Sequence, residues 1–217
     1  MAVKKIFWGD PYLKEIEAKV TSVSGGVVTL DKTIFYAFTG GQSSDSGTIG
    51  GCKVIEAKKF WNEILYTLKD HNLNVGDNVV LNIDWEKRYK IMKLHFAAEI
   101  ILELVYQNFN RPEKIGANIT HEKARLDFRW DGNISEAFEL LIKEAKELIL
   151  LDFPIKSDFS DTEKEIRYWQ IENFAKVACG GTHIKRTGEI GEIMLKRKSL
   201  GSCKERIEIY LCPTPLK

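Results

Sequence analysis

Two pairs of ligand-type residues, far apart in the chain, constrain its fold more than any other feature. His95-Phe96-Ala97-Ala98-Glu99 lies in an apolar, helix-like stretch, and Cys179-Gly180-Gly181-Thr182-His183 lies in a glycine-rich turn. Each pair sets two donors four residues apart. On a helix that spacing puts both on one face, with Cβ atoms roughly 5–6 Å apart, close enough to converge on one ion. Together they offer two imidazoles, a thiolate and a carboxylate, a set suited to a zinc-like ion. If the four meet, a helix and a remote turn must be brought together by a globular core, which a small zinc finger does not have.

Alone, each half has a plainer reading. A core histidine hydrogen-bonded to a carboxylate accounts for His95 and Glu99. A glutamate on an apolar face still needs a cation, a proton or solvent, because an unpaired buried charge is costly. In the second half, Gly180 and Gly181 are expected to free the backbone so that Cys179 and His183 turn to one point. Coordination then allows two arrangements. All four side chains bind Zn2+ in a closed tetrahedron, or His95, Cys179 and His183 bind it, water takes the fourth place and Glu99 acts as general base.

The chain has 217 residues, enough for one large domain or two modest ones, and at 44% hydrophobic and 29% charged it is ordinary for a globular protein. No apolar run approaches the roughly 20 residues that span a bilayer. Met1 to Asp10 shows no apolar h-region, so no secretory signal is read there and a cytoplasmic location is expected. Cys52, Cys203 and Cys212 have no ligand-spaced neighbour and read as small buried hydrophobes, whereas Cys179 is set apart by His183. The net charge of +1 neither predicts nor excludes nucleic-acid binding. Lys185, Arg186, Lys196, Arg197, Lys198, Lys204 and Arg206 nevertheless crowd the end of the chain. They form either the solvated faces of an antiparallel sheet or a phosphate-contacting surface beside the metal site.

Up to about Ile83 the pattern is β-rich. Ile16–Val20 and Val27–Leu30 flank a Ser24-Gly25-Gly26 hairpin signal, Thr33–Phe38 is β-branched and aromatic, and Lys53–Ala57 and Asn78–Ile83 are further strands. Gly40 to Gly47 reads as a polar loop. Many short strands and turns predict a small barrel or sandwich. Arg88–Tyr106 then reads as a long amphipathic helix, with Ile91, Leu94, His95, Ala98, Leu102 and Val105 on its apolar face. An extended run over 119–130, a helix over 134–151 capped by Asn133, a short helix after Asp161, and strands over 173–178, 190–195 and 206–211 complete the reading. The expected fold class is α+β. A β-barrel domain over residues 1–86 precedes an α+β metal-binding domain with an antiparallel sheet over residues 87–217.

With these residues in place, a family resemblance emerges. Arg88-x-x-x-Met92-x-x-His95-x-x-x-Glu99, Cys179-Gly-Gly-Thr-His183 and Thr187-Gly188-Glu189-Ile190-Gly191 resemble the editing domain of alanyl-tRNA synthetase, above all its free-standing AlaX-type trans-editing relatives. The loop Gly40-Gly41-Gln42-Ser43-Ser44-Asp45-Ser46-Gly47 is similar to the glycine-rich loop of the longer family members, which carry an N-terminal β-barrel. The family pattern pairs His-x-x-x-His with Cys-x-x-x-His, and Glu99 stands here where the second histidine would be. The resemblance implies hydrolysis of the aminoacyl ester of mischarged tRNA(Ala), the seryl form first and the glycyl form second. It implies one Zn2+ per chain. It places Thr120 as the group that senses a serine hydroxyl. Lys185, Arg186 and Arg206 would hold acceptor-stem phosphates, and the loop with Gly41, Gln42 and Asp45 would approach the terminal adenosine or the backbone. Two rivals stand beside this reading, a metal hydrolase of small esters and a non-catalytic tRNA-binding module with structural zinc.

Overall fold

The computed structural model describes residues 2–37 and 40–213. Two compact units divide the chain, Met1–Tyr89 and Lys90–Lys217. Among its described residues the first contains eight strands: β1 (Lys4–Lys5), β2 (Glu15–Ser24), β3 (Val27–Leu30), β4 (Lys32–Thr33), β5 (Gly47–Ile49), β6 (Cys52–Phe60), β7 (Glu63–Leu68) and β8 (Asn78–Ile83). β1 and β4 form a short parallel pair. The other six close into an antiparallel barrel in the order β2-β3-β7-β6-β5-β8. Alternation decides which side faces in: Val79, Leu81 and Ile83 of β8, and Ile64, Tyr66 and Leu68 of β7, are buried, while their neighbours are not. Gly47 lets β5 lie against β8, since a Cβ there would stand 2.0 Å from the Asn82 carbonyl oxygen.

The strand expected over Thr33–Phe38 is shorter, because side chains replace the ladder after Thr33. The Phe35 amide donates to Thr33 Oγ1 at 3.0 Å and the Tyr36 amide to Asp45 Oδ2 at 2.6 Å. Ile34 to Ala37 are therefore buried without being a strand, and Phe38 lies outside the described residues.

Helix α1 (Trp85–Asn108) runs from the end of the first unit into the second. Asp84 caps it, its Oδ1 accepting from the Lys87 amide at 3.1 Å. From Ile91 to Val105 α1 is buried nearly all round rather than amphipathic: Met92, Phe96, Ile100 and Ile101 are as hidden as the predicted face. Then come β9 (Lys114–Ile119), β10 (Ala124–Arg129), α2 (Phe138–Leu150), β11 (Lys156–Asp161), β12 (Ile166–Ile171), β13 (Ala175–Ala178), β14 (Ile193–Gly201) and β15 (Lys204–Leu211). They form a four-stranded antiparallel sheet, β14-β15-β10-β9, and a three-stranded one, β11-β12-β13. The fold class is α+β.

Two differences from expectation have local causes. The run over 119–130 is not one strand: it holds the last residue of β9, the Thr120–Lys123 turn and β10, which folds back antiparallel to β9. Residues 162–165 form a turn rather than the expected helix: Asp161 Oδ1 accepts from the Lys164 amide at 3.0 Å, and Glu165 takes φ +55, which turns the chain into β12. An Asp that caps a helix and an Asp that closes a turn use the same hydrogen bond.

Candidate metal centre

α1 presents His95 and Glu99 one turn apart on the side that meets β12 and the turn after β13. Phe96 packs edge-on against Trp169 of β12, ring centroids 5.1 Å apart, and also meets the His183 ring at 5.7 Å. The Cys179 amide donates to the Arg167 carbonyl at 2.9 Å, extending the β12–β13 ladder by one residue before the chain leaves it. Arg167 Nη1 then donates to the Gly181 carbonyl at 3.2 Å, which holds the turn. Neither Gly180 nor Gly181 adopts a positive φ, so left-handed freedom is not what shapes this turn. The Arg167 clasp and the burial of Gly181, Thr182 and His183 shape it instead.

The donors converge. Cys179 Sγ lies 3.5 Å from His95 Nε2 and 3.2 Å from His183 Nε2, and the three donor atoms all lie within 4.8 Å of one another. Tetrahedral zinc with bonds of about 2.0–2.3 Å separates its ligands by roughly 3.5 Å. Glu99 stands beside this trio rather than within it: Oε1 is 3.2 Å from His95 Nε2, and Oε2 accepts from the Trp169 indole Nε1 at 3.1 Å. Ser157 Oγ lies 2.9 Å from His183 Nδ1, which fixes that ring and aims Nε2 at Cys179. His95 Nδ1 is buried with no hydrogen-bond partner among the described residues. One thiolate and two imidazoles at these separations fit zinc.

Without an ion the site settles its charge internally. Burial works against a charged His95, but the negative charge of Cys179 and the Glu99 carboxylate outweigh it and raise its pKa to about 10. Burial also opposes ionised Glu99, yet the hydrogen bond and charge of His95 take it down to about 2. His183 is pushed down to about 3, first by burial and then by the positive charge of His95. His95 takes the proton rather than His183 because its Nε2 faces both Cys179 Sγ and the Glu99 carboxylate, and its charge then disfavours a second proton on His183.

The other expected contacts have partners of their own. Asp45 is buried, and Arg88 Nε donates to its Oδ1 at 2.7 Å while Arg88 Nη2 meets Oδ2. That guanidinium also donates to the carbonyls of Pro11 and Ile34, so Asp45 anchors the glycine-rich loop from inside. Gln42 is likewise buried, and Gly41 turns the loop at φ +109. The Thr120 hydroxyl donates to the Lys123 carbonyl at 3.0 Å and closes the β9–β10 turn. Arg186 pairs with Asp152, whose Oδ1 also accepts from the Gly188 amide at 2.9 Å. A Cβ at Gly188 would collide with that carboxylate at 2.5 Å, so the Thr187–Gly191 run works as a clasp on the end of α2. Arg206 forms a two-toothed pair with Asp127, Nε–Oδ1 2.6 Å and Nη2–Oδ2 2.9 Å. Lys185 is exposed. On the face of the sheet shared with Arg206, Lys198 and Lys204 are exposed with no ion pair among the described residues. Cys203 is exposed in the β14–β15 turn at φ +54 and Cys52 and Cys212 are half-buried, so none of them is the buried hydrophobe expected.

Ser157, Arg167 and Trp169 were missed by sequence reasoning. The last two sit at i and i+2 on β12, and an arginine and a tryptophan on one face of a short strand was the available signal. Ser157 offered none.

Comparison with known proteins places the chain. The family model for tRNA synthetases class II (A) matches residues 3–87, and that for the threonyl and alanyl tRNA synthetase second additional domain matches residues 166–208. The alanyl-tRNA editing protein AlaX-M of Pyrococcus horikoshii is 33% identical over 213 residues, which cover 96% of this chain and 97% of that protein. The chain belongs to the AlaX-M family of alanyl-tRNA editing proteins. AlaX-M of Saccharolobus solfataricus is also 33% identical, over 97% of this chain and 99% of its own length. The alanine–tRNA ligase of Methanococcus aeolicus is 33% identical over 94% of this chain but only 25% of the ligase. In this chain the second-additional-domain match begins at β12, so it takes in Arg167 and Trp169 together with Cys179 and His183.

Proposed function

We propose that this chain removes the wrong amino acid from mischarged tRNA(Ala) in trans, acting first on the seryl ester and second on the glycyl ester. Residues 1–86 serve as a β-barrel domain and residues 87–217 as the metal-binding editing domain of a cytoplasmic deacylase. The observation that carries the reading is the convergence of His95, Cys179 and His183 within 4.8 Å in a chain of the AlaX-M family. His95 Nε2, Cys179 Sγ and His183 Nε2 hold Zn2+, with Ser157 keeping His183 in the right ring orientation. When bound, the ion supplies Lewis acidity that polarises oxygen.

Of the two coordination schemes, Glu99 outside the donor trio favours the one in which it is a base. With Oε2 held by Trp169, Glu99 uses Oε1 to take the proton of the water that attacks the ester carbonyl. The bond between the acyl carbon and the ribose oxygen then breaks, that oxygen takes the proton from Glu99 and becomes a free hydroxyl, and the amino acid leaves with the water's oxygen in its carboxyl group. Acceptor-stem phosphates lie on exposed Lys185 and on the sheet face that carries Arg206, Lys198 and Lys204. Thr120 meets the serine hydroxyl, and the glycine-rich loop with Gly41, Gln42 and Asp45 approaches the terminal adenosine or the phosphate backbone of the tRNA.

The experiment is a deacylation assay on Ser-, Gly- and Ala-charged tRNA(Ala), run before and after chelation. Loss of the seryl ester with the alanyl ester spared, abolished by chelation and restored by zinc, is expected. Inertness toward all three tRNAs leaves a binding module; hydrolysis of free seryl esters at the same rate leaves a small-ester hydrolase.

A further inference from the structure

β6 and β7 are joined by a two-residue turn, Trp61 and Asn62, between paired Phe60 and Glu63. Trp61 takes φ +53 and Asn62 has no positive φ. In a two-residue hairpin, positive φ at the first central position only is the type II′ requirement, and glycine is its usual occupant. A bulky aromatic there is a true conformational outlier. The Trp61 side chain is 81% exposed, and Phe60 beside it is 53% exposed, so the ring gains little packing in return for the strain. Lys58 and Lys59 precede them, both exposed and without an ion pair among the described residues. Glu56 and Glu63 lie on the same hairpin, so the tip is not simply cationic. The Val3 amide donates to the Asn62 carbonyl at 3.0 Å, which fixes the turn to the barrel and leaves the ring projecting from it.

Backbone strain of this kind clusters at binding and functional sites, and the exposed ring directs attention to a ligand outside the chain. Lys58 and Lys59, consecutive on β6, lie on opposite faces of the strand behind the ring; a flat ring with a cationic residue to either side of its strand matches a nucleobase with its flanking phosphates, and every base has a face to stack.

We propose that the β6–β7 tip is an RNA contact, in which Trp61 stacks on an unpaired base of the bound tRNA while Lys58 and Lys59 meet the flanking phosphates. The proposal rests on the reading of the chain as a tRNA deacylase and adds a surface remote in sequence from the metal ligands.

The test uses the full chain and an uncharged tRNA(Ala) transcript, with affinity read by fluorescence anisotropy and stability by thermal unfolding. Trp61→Gly relieves the turn, so the melting temperature rises by about 2–4 °C while tRNA affinity falls about tenfold. Trp61→Phe keeps most of the affinity. Lys58→Gln with Lys59→Gln lowers the slope of log affinity against log salt by about 1–2. In the wild type, tRNA shields one tryptophan from acrylamide quenching, and Trp61→Phe removes that shielding; this readout needs no glycine variant. A Trp61→Gly chain that melts lower and binds tRNA as well as wild type overturns the proposal, as does quenching that tRNA leaves unchanged. Wild type that binds tRNA yet fails to hydrolyse Ser-tRNA(Ala) instead sinks the deacylase reading and leaves the hairpin contact standing.

Discussion

His95 is the residue on which the charge balance of the site turns. Its Nε2 faces both the Cys179 sulfur and the Glu99 carboxylate, so without an ion it keeps a proton up to about pH 10. A metal must displace that proton. Apparent affinity therefore rises with pH below about 10, by up to tenfold per unit, because each step removes the competing proton. His183, at about 3, has none to lose in that range. Imidazole NMR of chelated protein at pH 7 should show one charged and one neutral ring, both neutral once zinc is added. Two neutral rings in the chelated protein contradict this account. Glu99→Gln should lower turnover on Ser-tRNA(Ala) by about 10²–10⁴-fold while one zinc per chain is retained. Loss of the metal along with the activity would make Glu99 a ligand instead. Trp169 predicts a smaller version of the same effect: Trp169→Phe removes the donor to Glu99 Oε2, lowers kcat and leaves zinc content at one.

At the scale of elements, the Arg88–Asp45 pair ties the glycine-rich loop to the first turn of α1, and both side chains are almost wholly hidden. Arg88→Met leaves a buried, unpaired carboxylate, and thermal unfolding should show a loss of about 3–5 kcal/mol. An unchanged melting curve would mean that Asp45 is solvated or protonated instead. This pair also shows what could be read in advance. β8 was legible residue by residue because Asn78–Ile83 alternates and a barrel wall needs alternation. α1 was legible as a helix, and its His95–Glu99 spacing as a shared face. Its burial on every side was not, because periodicity reports one face and cannot report a helix surrounded by its neighbours. Thr33–Ala37 has strand composition, but the Phe35 and Tyr36 amides go to the side chains of Thr33, two residues back, and Asp45, nine residues on, a choice that strand propensity does not report. The same holds for Arg186 and Arg206: charge is visible in a sequence, but the carboxylates of Asp152 and Asp127 that engage them are visible only in the fold.

For the molecule as a whole, the account joins family membership over nearly the full length to a donor trio assembled from α1 and the turn after β13. Assembly by the fold links metal to stability: an ion bound by the native chain alone stabilises it. Chelation should lower the unfolding temperature, and added zinc should restore it; a melting curve indifferent to both would sever that link. The most direct measurement is zinc X-ray absorption on the purified protein. The account predicts one zinc per chain with one sulfur at about 2.3 Å and two imidazole nitrogens at about 2.0–2.1 Å. A shell without sulfur, a shell of several sulfurs, or protein that takes up no metal would contradict it.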